Sequence, residues 1–318
     1  MSRQWMRRAL LALAPAAALF LAGCGSGTIE SQLEPTRVFA FGTGFSDLGQ
    51  VGNRQTVNDN TINIWTQEAA ASFTYLMGPV VTAGGTDYAT RNARIVATPD
   101  AAGNAATPTV AKQIDTFLAG TTPTATDLVF IEGGITDIIA EVGKLNAGTQ
   151  TSAQTLANVQ QAGRDLAAQT RRLVQAGASH VVVVGTIDLS RTPWGITTGQ
   201  GALLTDLSTK FNTELLTSIV DLGASVLYVD AAFQFNLMSS NPGIFGLNNS
   251  TDVACTSVDP GPGIGIGAGK VNAALCTPAT IVAGINYNLY MWADPVYPTP
   301  FVQRYFGDYA YQRIRSRW

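Results

Sequence analysis

Val38-Phe-Ala-Phe-Gly-Thr-Gly-Phe-Ser-Asp47 decides how the rest of the chain is read. Residues 38–41 form an apolar run with the composition of a short buried strand. The glycines at 42 and 44 mark a turn at its carboxyl end. The same grammar recurs downstream. Strands are expected at 127–131, His180–Val184 and 226–229, all rich in β-branched residues. Helical spacing is read between and around them at 64–76, 110–118, 137–146, 153–176, 203–222 and 300–315. Glycines at 177 and 223 act as stops. Apolar strands alternating with helices predict an α/β protein, a parallel sheet buried on both faces by helices. Residues 37–318 are expected to form one domain, with no internal repeat and no interdomain linker. Two stretches, 98–108 and 241–269, carry weak structural signals and are read as flexible.

The composition suits one large core. The chain has 318 residues, 46% of them hydrophobic and 13% charged. Its net charge is −3, from 19 Lys and Arg against 22 Asp and Glu. No basic patch stands out, which argues against a nucleic-acid partner. No cofactor motif is found, and no His, Cys and carboxylate cluster has metal-ligand spacing. The run Gly261–Gly269 fits no phosphate loop. Gly-x-x-x-x-Gly-Lys would need glycine where Ile264 stands, and no strand precedes the run.

The first residues read as an export signal. Arg3, Arg7 and Arg8 precede an apolar stretch from Ala9 to Ala22. That stretch is shorter than the roughly 20 residues a membrane-spanning helix needs. It ends in Leu21-Ala22-Gly23-Cys24, which resembles a bacterial lipobox. The resemblance implies a signal peptide over 1–23, a lipid on Cys24 and a membrane anchor in the cell envelope. Gly25 in place of Asp implies the outer membrane. The alternative is an ordinary cleaved signal with a chance Cys. Residues 24–36 are polar and contain Gly, Ser and Pro, and are read as a flexible tether. With Cys24 lipidated, Cys255 and Cys276 remain. In an exported protein they are expected to pair, two free thiols being the alternative.

Four blocks carry a wider resemblance. They are Gly42-Thr-Gly-Phe-Ser-Asp47, Gly84-Gly-Thr-Asp-Tyr-Ala-Thr-Arg-Asn-Ala93, Phe130-Ile-Glu-Gly-Gly-Ile-Thr-Asp137 and Ala293-Asp-Pro-Val-Tyr-Pro298. Together with Cys276-Thr-Pro-Ala-Thr280 they resemble the GDSL, or SGNH, esterase and lipase family over nearly all of 37–318. The likeness is nearest to secreted and autotransporter-type bacterial esterases. It implies the flavodoxin-like three-layer α/β/α sandwich and ester-hydrolase chemistry.

The family's reactive positions, carried onto this chain, hold other residues. The nucleophile position is Gly44, preceded by Thr43 where the family has Asp. The glycine whose backbone N–H serves the oxyanion is Asn92, next to Arg91. The Asn whose amide is the second oxyanion donor is Thr136. The general-base His is Tyr297, and a neutral phenol with a pKa near 10 is a poor base. Only the carboxylate, Asp294, is kept. Asp294 is expected to pair with Arg91 or to accept a hydrogen bond from Tyr297. Arg91 could alternatively pair with Asp47. Ser46 is two residues away from the nucleophile position, out of reach for attack. The one His of the chain, His180, opens a strand and so stands at the wrong edge of the sheet for chemistry.

The resulting expectation is a non-catalytic binding protein on an esterase fold. Its old cleft would be lined by Gly44, Arg91, Asn92, Thr136, Asp294 and Tyr297. Arg91 would draw an acyl carboxylate, a phosphate or an acidic glycan, or a protein ligand would fill the cleft. Two alternatives stand beside this: residual or unconventional ester hydrolysis, and a purely structural envelope protein. The C-terminal aromatics Phe301, Tyr305 and Tyr309 follow helical spacing and are read as the core face of a closing helix.

Overall fold

A computed structural model describes residues 33–318. The signal, Cys24 and most of the tether lie outside the described residues. Within 24–36, residues 33–36 already pack on the body. Leu33 and Pro35 are buried, and the N–H of Thr36 donates to the carbonyl of Thr126 at 3.0 Å.

The central sheet has four parallel strands in the order β1 (Arg37–Phe41), β2 (Asp127–Glu132), β3 (His180–Val184), β4 (Val226–Tyr228). A further segment pairs with the free side of β1. The N–H of Ala40 donates to Thr86, the N–H of Tyr88 donates to Ala40, and Ala40 and Asp87 form a parallel bridge. Residues 86–88 therefore act as a vestigial edge strand. Counted with them, the sheet runs second, first, third, fourth, fifth in chain order, the flavodoxin-like arrangement. The connection direction reverses between β1 and β2, and in such sheets the crevice at that point is where ligands gather.

Parallel strands buried on both faces need apolar residues at successive positions, and β1 to β3 supply them. Residues paired in register share a face. Phe39 and Phe41 pack on Phe117 of α2 (Val110–Gly120), with ring centroids 4.7 and 5.1 Å apart. Phe130, paired with Ala40, points the other way and meets Trp65 of α1 (Trp65–Ala71) at 5.3 Å. Trp65 in turn meets Phe306 of the last helix, α8 (Pro300–Arg315), at 5.6 Å. One outer layer is built on α1 and α8. The other carries α2, α3 (Ile135–Asn146), α4 (Ser152–Gln175) and α6 (Gly201–Ile219). The short α5 (Pro193–Thr198) and α7 (Ala231–Ser240) complete the helices. Small pairings, β5 (Asn249–Val253) with β8 (Tyr290–Trp292) and β6 (Val258–Asp259) with β7 (Lys270–Val271), organise the region before α8.

Three local expectations are corrected. The helix read over 64–76 ends at Ala71. Thr74 has a positive φ of 66°, which ends helical bonding, and Leu76 is exposed. In α8 the buried stripe is Val302, Phe306, Ala310 and Ile314, while Phe301, Tyr305 and Tyr309 flank it half-buried. Nor are 98–108 and 261–269 loose. Asp100 takes hydrogen bonds from the N–H of Ala102 and Asn104 and from the Thr107 hydroxyl. Ile264 is buried, and a Cβ on Gly265 would stand 2.2 Å from the Ala101 carbonyl oxygen, so the two loops lie against one another.

Cys255 and Cys276 form a disulfide with Cα atoms 5.9 Å apart, spanning 21 positions. The loop it closes also supplies a hydrogen bond to the functional region described below. By the chain-entropy model the crosslink is expected to contribute about 3 kcal/mol. Urea unfolding with and without reductant measures this. An unchanged midpoint would show that the loop is held by its hydrogen bonds alone.

Candidate functional site

The turn after β1 is organised by a carboxylate that ends β2. Glu132 is buried and accepts three hydrogen bonds from block one. The Thr43 N–H lies at 2.7 Å, the Thr43 hydroxyl at 2.6 Å and the Ser46 hydroxyl at 3.0 Å. Burial pushes its pKa up to about 6, against the pull of those donors. The close approach requires glycine at 42, since a Cβ there would stand 2.4 Å from a Glu132 carboxylate oxygen. Ser46 also accepts from the Trp65 indole N–H at 3.1 Å and is fully buried, so its hydroxyl is committed to structure.

Gly44 and Tyr297 meet, as block one and block four of the family must. A Cβ on Gly44 would lie 3.1 Å from the Tyr297 hydroxyl, 3.2 Å from its Cζ and 2.8 Å from Cγ of Gln55. The phenol therefore stands where a nucleophile's side chain would project. Tyr297 is fully buried, and neither its hydroxyl nor the side-chain amide of Gln55 has a hydrogen-bond partner among the described residues. Burial drives the Tyr297 pKa well above its ordinary value, and the negative charges of Asp294, Glu132 and Asp47 add to the rise. Such a phenol holds its proton and cannot serve as a base near neutral pH.

Asp294 is used differently from the sequence expectation. One carboxylate oxygen accepts from the N–H groups of Val296 and Tyr297, at 2.8 and 2.7 Å. The other accepts from the N–H of Ala273 at 2.8 Å. It forms no ion pair with Arg91, and its contact with Tyr297 is to the backbone, not the hydroxyl. Asp294 thus fastens the disulfide loop to the turn before α8. Burial raises its pKa to about 6, opposed by those three donors.

Asn92 adopts φ 61°, the left-handed conformation that a glycine at this family position would take and that Asn tolerates. Its side-chain amide donates to the Gly263 carbonyl at 3.0 Å, drawing the 261–269 loop over it. Thr136, buried in the first turn of α3, donates its hydroxyl to the carbonyl of Ala93, so it offers no donor to an oxyanion. Arg91 donates its backbone N–H to Asp47 at 2.9 Å. Its guanidinium forms no ion pair with Asp47 or Asp294 among the described residues and remains half-exposed. His180 lies at the opposite sheet edge, its ring edge-on to Trp318 at 4.9 Å.

The five family positions come together, but not as an open cleft. Gly44, Thr136, Asp294 and Tyr297 are fully buried and Asn92 is nearly so. The expected lining of a ligand cleft is corrected to a closed plug made by the Tyr297 ring and Gln55. Of the six residues, Arg91 is half-exposed and Asn92, 9% exposed, joins it in lining a surface recess. Sequence reasoning missed Glu132 and Gln55. A lone carboxylate at the end of the apolar run Leu128–Ile131 was the available signal for Glu132. Gln55 sits in an irregular segment and carried none.

The chain belongs to the GDSL-like lipase/acylhydrolase family, whose pattern matches residues 38–260. A Pseudomonas putida protein, described as an uncharacterized protein in the trpE-trpG intergenic region, is similar. It is 25% identical over 191 residues, which are 60% of this chain and 29% of that protein. The match thus spans less than a third of that relative. Among solved structures, phospholipase A1 from Streptomyces albidoflavus NA297 aligns with a TM-score of 0.42 and 16% identity, over 87% of this chain and 98% of that one.

Proposed function

We propose that this protein is a lipid-anchored cell-envelope member of the GDSL-like family that does not hydrolyse esters and acts by binding. The observation that carries the reading is the contact at Gly44. Acyl transfer needs a nucleophile, a base to activate it and donors for the oxyanion. Here the nucleophile position has no side chain, and a protonated, buried phenol fills the space beside it. The Thr136 hydroxyl is spent on a backbone carbonyl. Lipid attachment at Cys24, with an outer-membrane location, rests on the lipobox-like Leu21-Ala22-Gly23-Cys24 and the export signal before it.

The test is hydrolysis of short- and long-chain p-nitrophenyl esters by the domain from Cys24 onward, beside the double variant Gly44→Ser/Tyr297→His. No turnover above buffer is expected from the native chain. The double variant replaces the phenol by the smaller imidazole, removing the contact that Gly44→Ser alone would make with the Tyr297 hydroxyl at 3.1 Å and leaving the flexible Gln55 side chain at 2.8 Å to move aside. Turnover by the native chain would overturn the non-hydrolytic reading.

A further inference from the structure

Two recesses open beside the closed site, and none of Gly44, Thr136, Asp294 or Tyr297 lines either one. The first, of about 250 Å³, is walled by Arg91, Asn92, Asp100, Asn104 and Thr107 and is largely polar. The second, of about 310 Å³, lies between Val80, Val81, Tyr88, Pro108 and Thr116, beside the 86–88 edge segment. Val51 and Thr90 line both, so the two recesses adjoin. The groove has a polar cationic end and an apolar end. Val51 and Val81 are 57% and 67% exposed within it and give that end its apolar wall.

Arg91 is the one cation lining the first recess, and Asp100 the one carboxylate. Each neighbouring carboxylate is occupied by donors of the chain itself. Asp47 takes the N–H groups of Gly49, Gln50 and Arg91, and Asp100 takes those of Ala102 and Asn104 with the Thr107 hydroxyl. The Arg91 guanidinium makes no side-chain hydrogen bond or close ion pair among the described residues, although its charge acts on Asp47, and it stands at the mouth of the recess. A planar bidentate donor beside a narrow apolar channel matches a carboxylate head on one alkyl chain.

We infer that the Arg91 recess and the Val51–Val81 channel together bind a single-chain, long-chain carboxylate anion, held without turnover. This rests on the non-hydrolytic reading above and gives that reading its ligand. The head meets Arg91, and the chain lies between Val80, Val81 and Tyr88, away from the plugged family site. An anionic sugar at the Arg91 end would need no apolar channel.

The test is binding of the fluorescent polyene fatty acid cis-parinarate to the domain from Cys24 onward. Myristate and neutral 1-monomyristin serve as competitors. Saturable binding is expected, displaced by myristate and at least about tenfold less well by monomyristin. Arg91→Ala should weaken binding at least about tenfold, Arg91→Lys much less, and Val81→Asp should weaken it through the channel. Thermal melts of each variant separate lost binding from lost folding. Absence of saturable binding to the native protein, equal affinity of Arg91→Ala, or equal displacement by the neutral competitor would each overturn the inference. p-Nitrophenyl myristate is assayed on the same samples. Its hydrolysis would overturn the non-hydrolytic reading while the groove still bound carboxylate. Lack of binding without hydrolysis would remove the groove alone.

Discussion

Asp294→Ala is expected to lower the stability of the domain by about 3 kcal/mol without altering any ester hydrolysis. The carboxylate accepts three buried backbone N–H groups, from Ala273, Val296 and Tyr297. Truncation leaves all three without acceptors in a place water does not reach, and each orphaned donor costs about 1–3 kcal/mol. Release of the buried charge offsets part of this near neutral pH, so the measurement belongs near pH 5.5, where the native carboxyl is already largely neutral. Asp294→Asn keeps one acceptor oxygen and should cost less than Ala. Urea denaturation of the three proteins orders them. If Ala and native unfold at the same midpoint, Asp294 is not the fastener between the disulfide loop and the turn before α8.

Stability should rise on acidification from pH 7.5 to pH 5, opposite to the usual behaviour of paired carboxylates. Burial pushes Glu132, Asp137 and Asp294 each up to about 6, and it also raises Asp47 and Asp87. The unfolded chain titrates these groups near 4. Between about pH 4 and 6 the folded state therefore holds more protons than the unfolded one. Unfolding then releases protons, and stability falls as pH rises through that window. A shift of one pKa unit corresponds to about 1.4 kcal/mol, so the gain is on the order of a few kcal/mol.

Other groups run against the trend. His180, its pKa lowered by burial, loses stability as pH falls through about 6.5. At Asp127 and Glu141 burial is outweighed by hydrogen bonds from Arg37 and Lys144, and their stabilisation is lost only below about pH 4. One histidine stands against three carboxyls with pKa values near 6, so the maximum is expected near pH 5. Urea midpoints at pH 5.0 and 7.5 read the difference, and Glu132→Gln should shrink it. A lower midpoint at pH 5.0 would contradict the burial of these acids.

Much of the architecture was legible because strands and their glycine stops obey local rules. The run Val38–Phe41 and the continuous valines of β3 admit little besides a strand buried on both faces, and both fall where expected. The long helix read over 153–176 appears at Ser152–Gln175, its start set by a capping box of Thr151 and Gln154. The helix at 64–76 was overestimated because its apolar spacing continued past Ala71, where the chain bends at Thr74. The outermost strand was not legible at all. Residues 86–88 carry no strand pattern, and only their bonds to Ala40 reveal the flavodoxin-like order.

The substitutions at the site were legible by alignment of motifs, but their consequences were not. The sequence by itself determined that no hydroxyl stands at position 44, that no histidine lies near it, and that the family's scaffold surrounds both. Side-chain identity settles those points without any coordinates. Whether the vacated cleft stays open depends on which atoms move into it, and that is a property of packing between distant segments. Gln55 from an irregular loop and Tyr297 from the turn before α8 converge on Gly44 only in the folded chain. Likewise, Arg91 was a candidate partner for Asp47 or Asp294 in sequence. In three dimensions its guanidinium forms a close ion pair with neither, although its charge acts on Asp47, and both acids take three backbone donors each. The tertiary structure decided that the old site is sealed and that Arg91, the cation beside it, stays half-exposed. Side-chain packing on Gly44 is the physical reason for the first, and the backbone donors already held by Asp47 and Asp294 for the second.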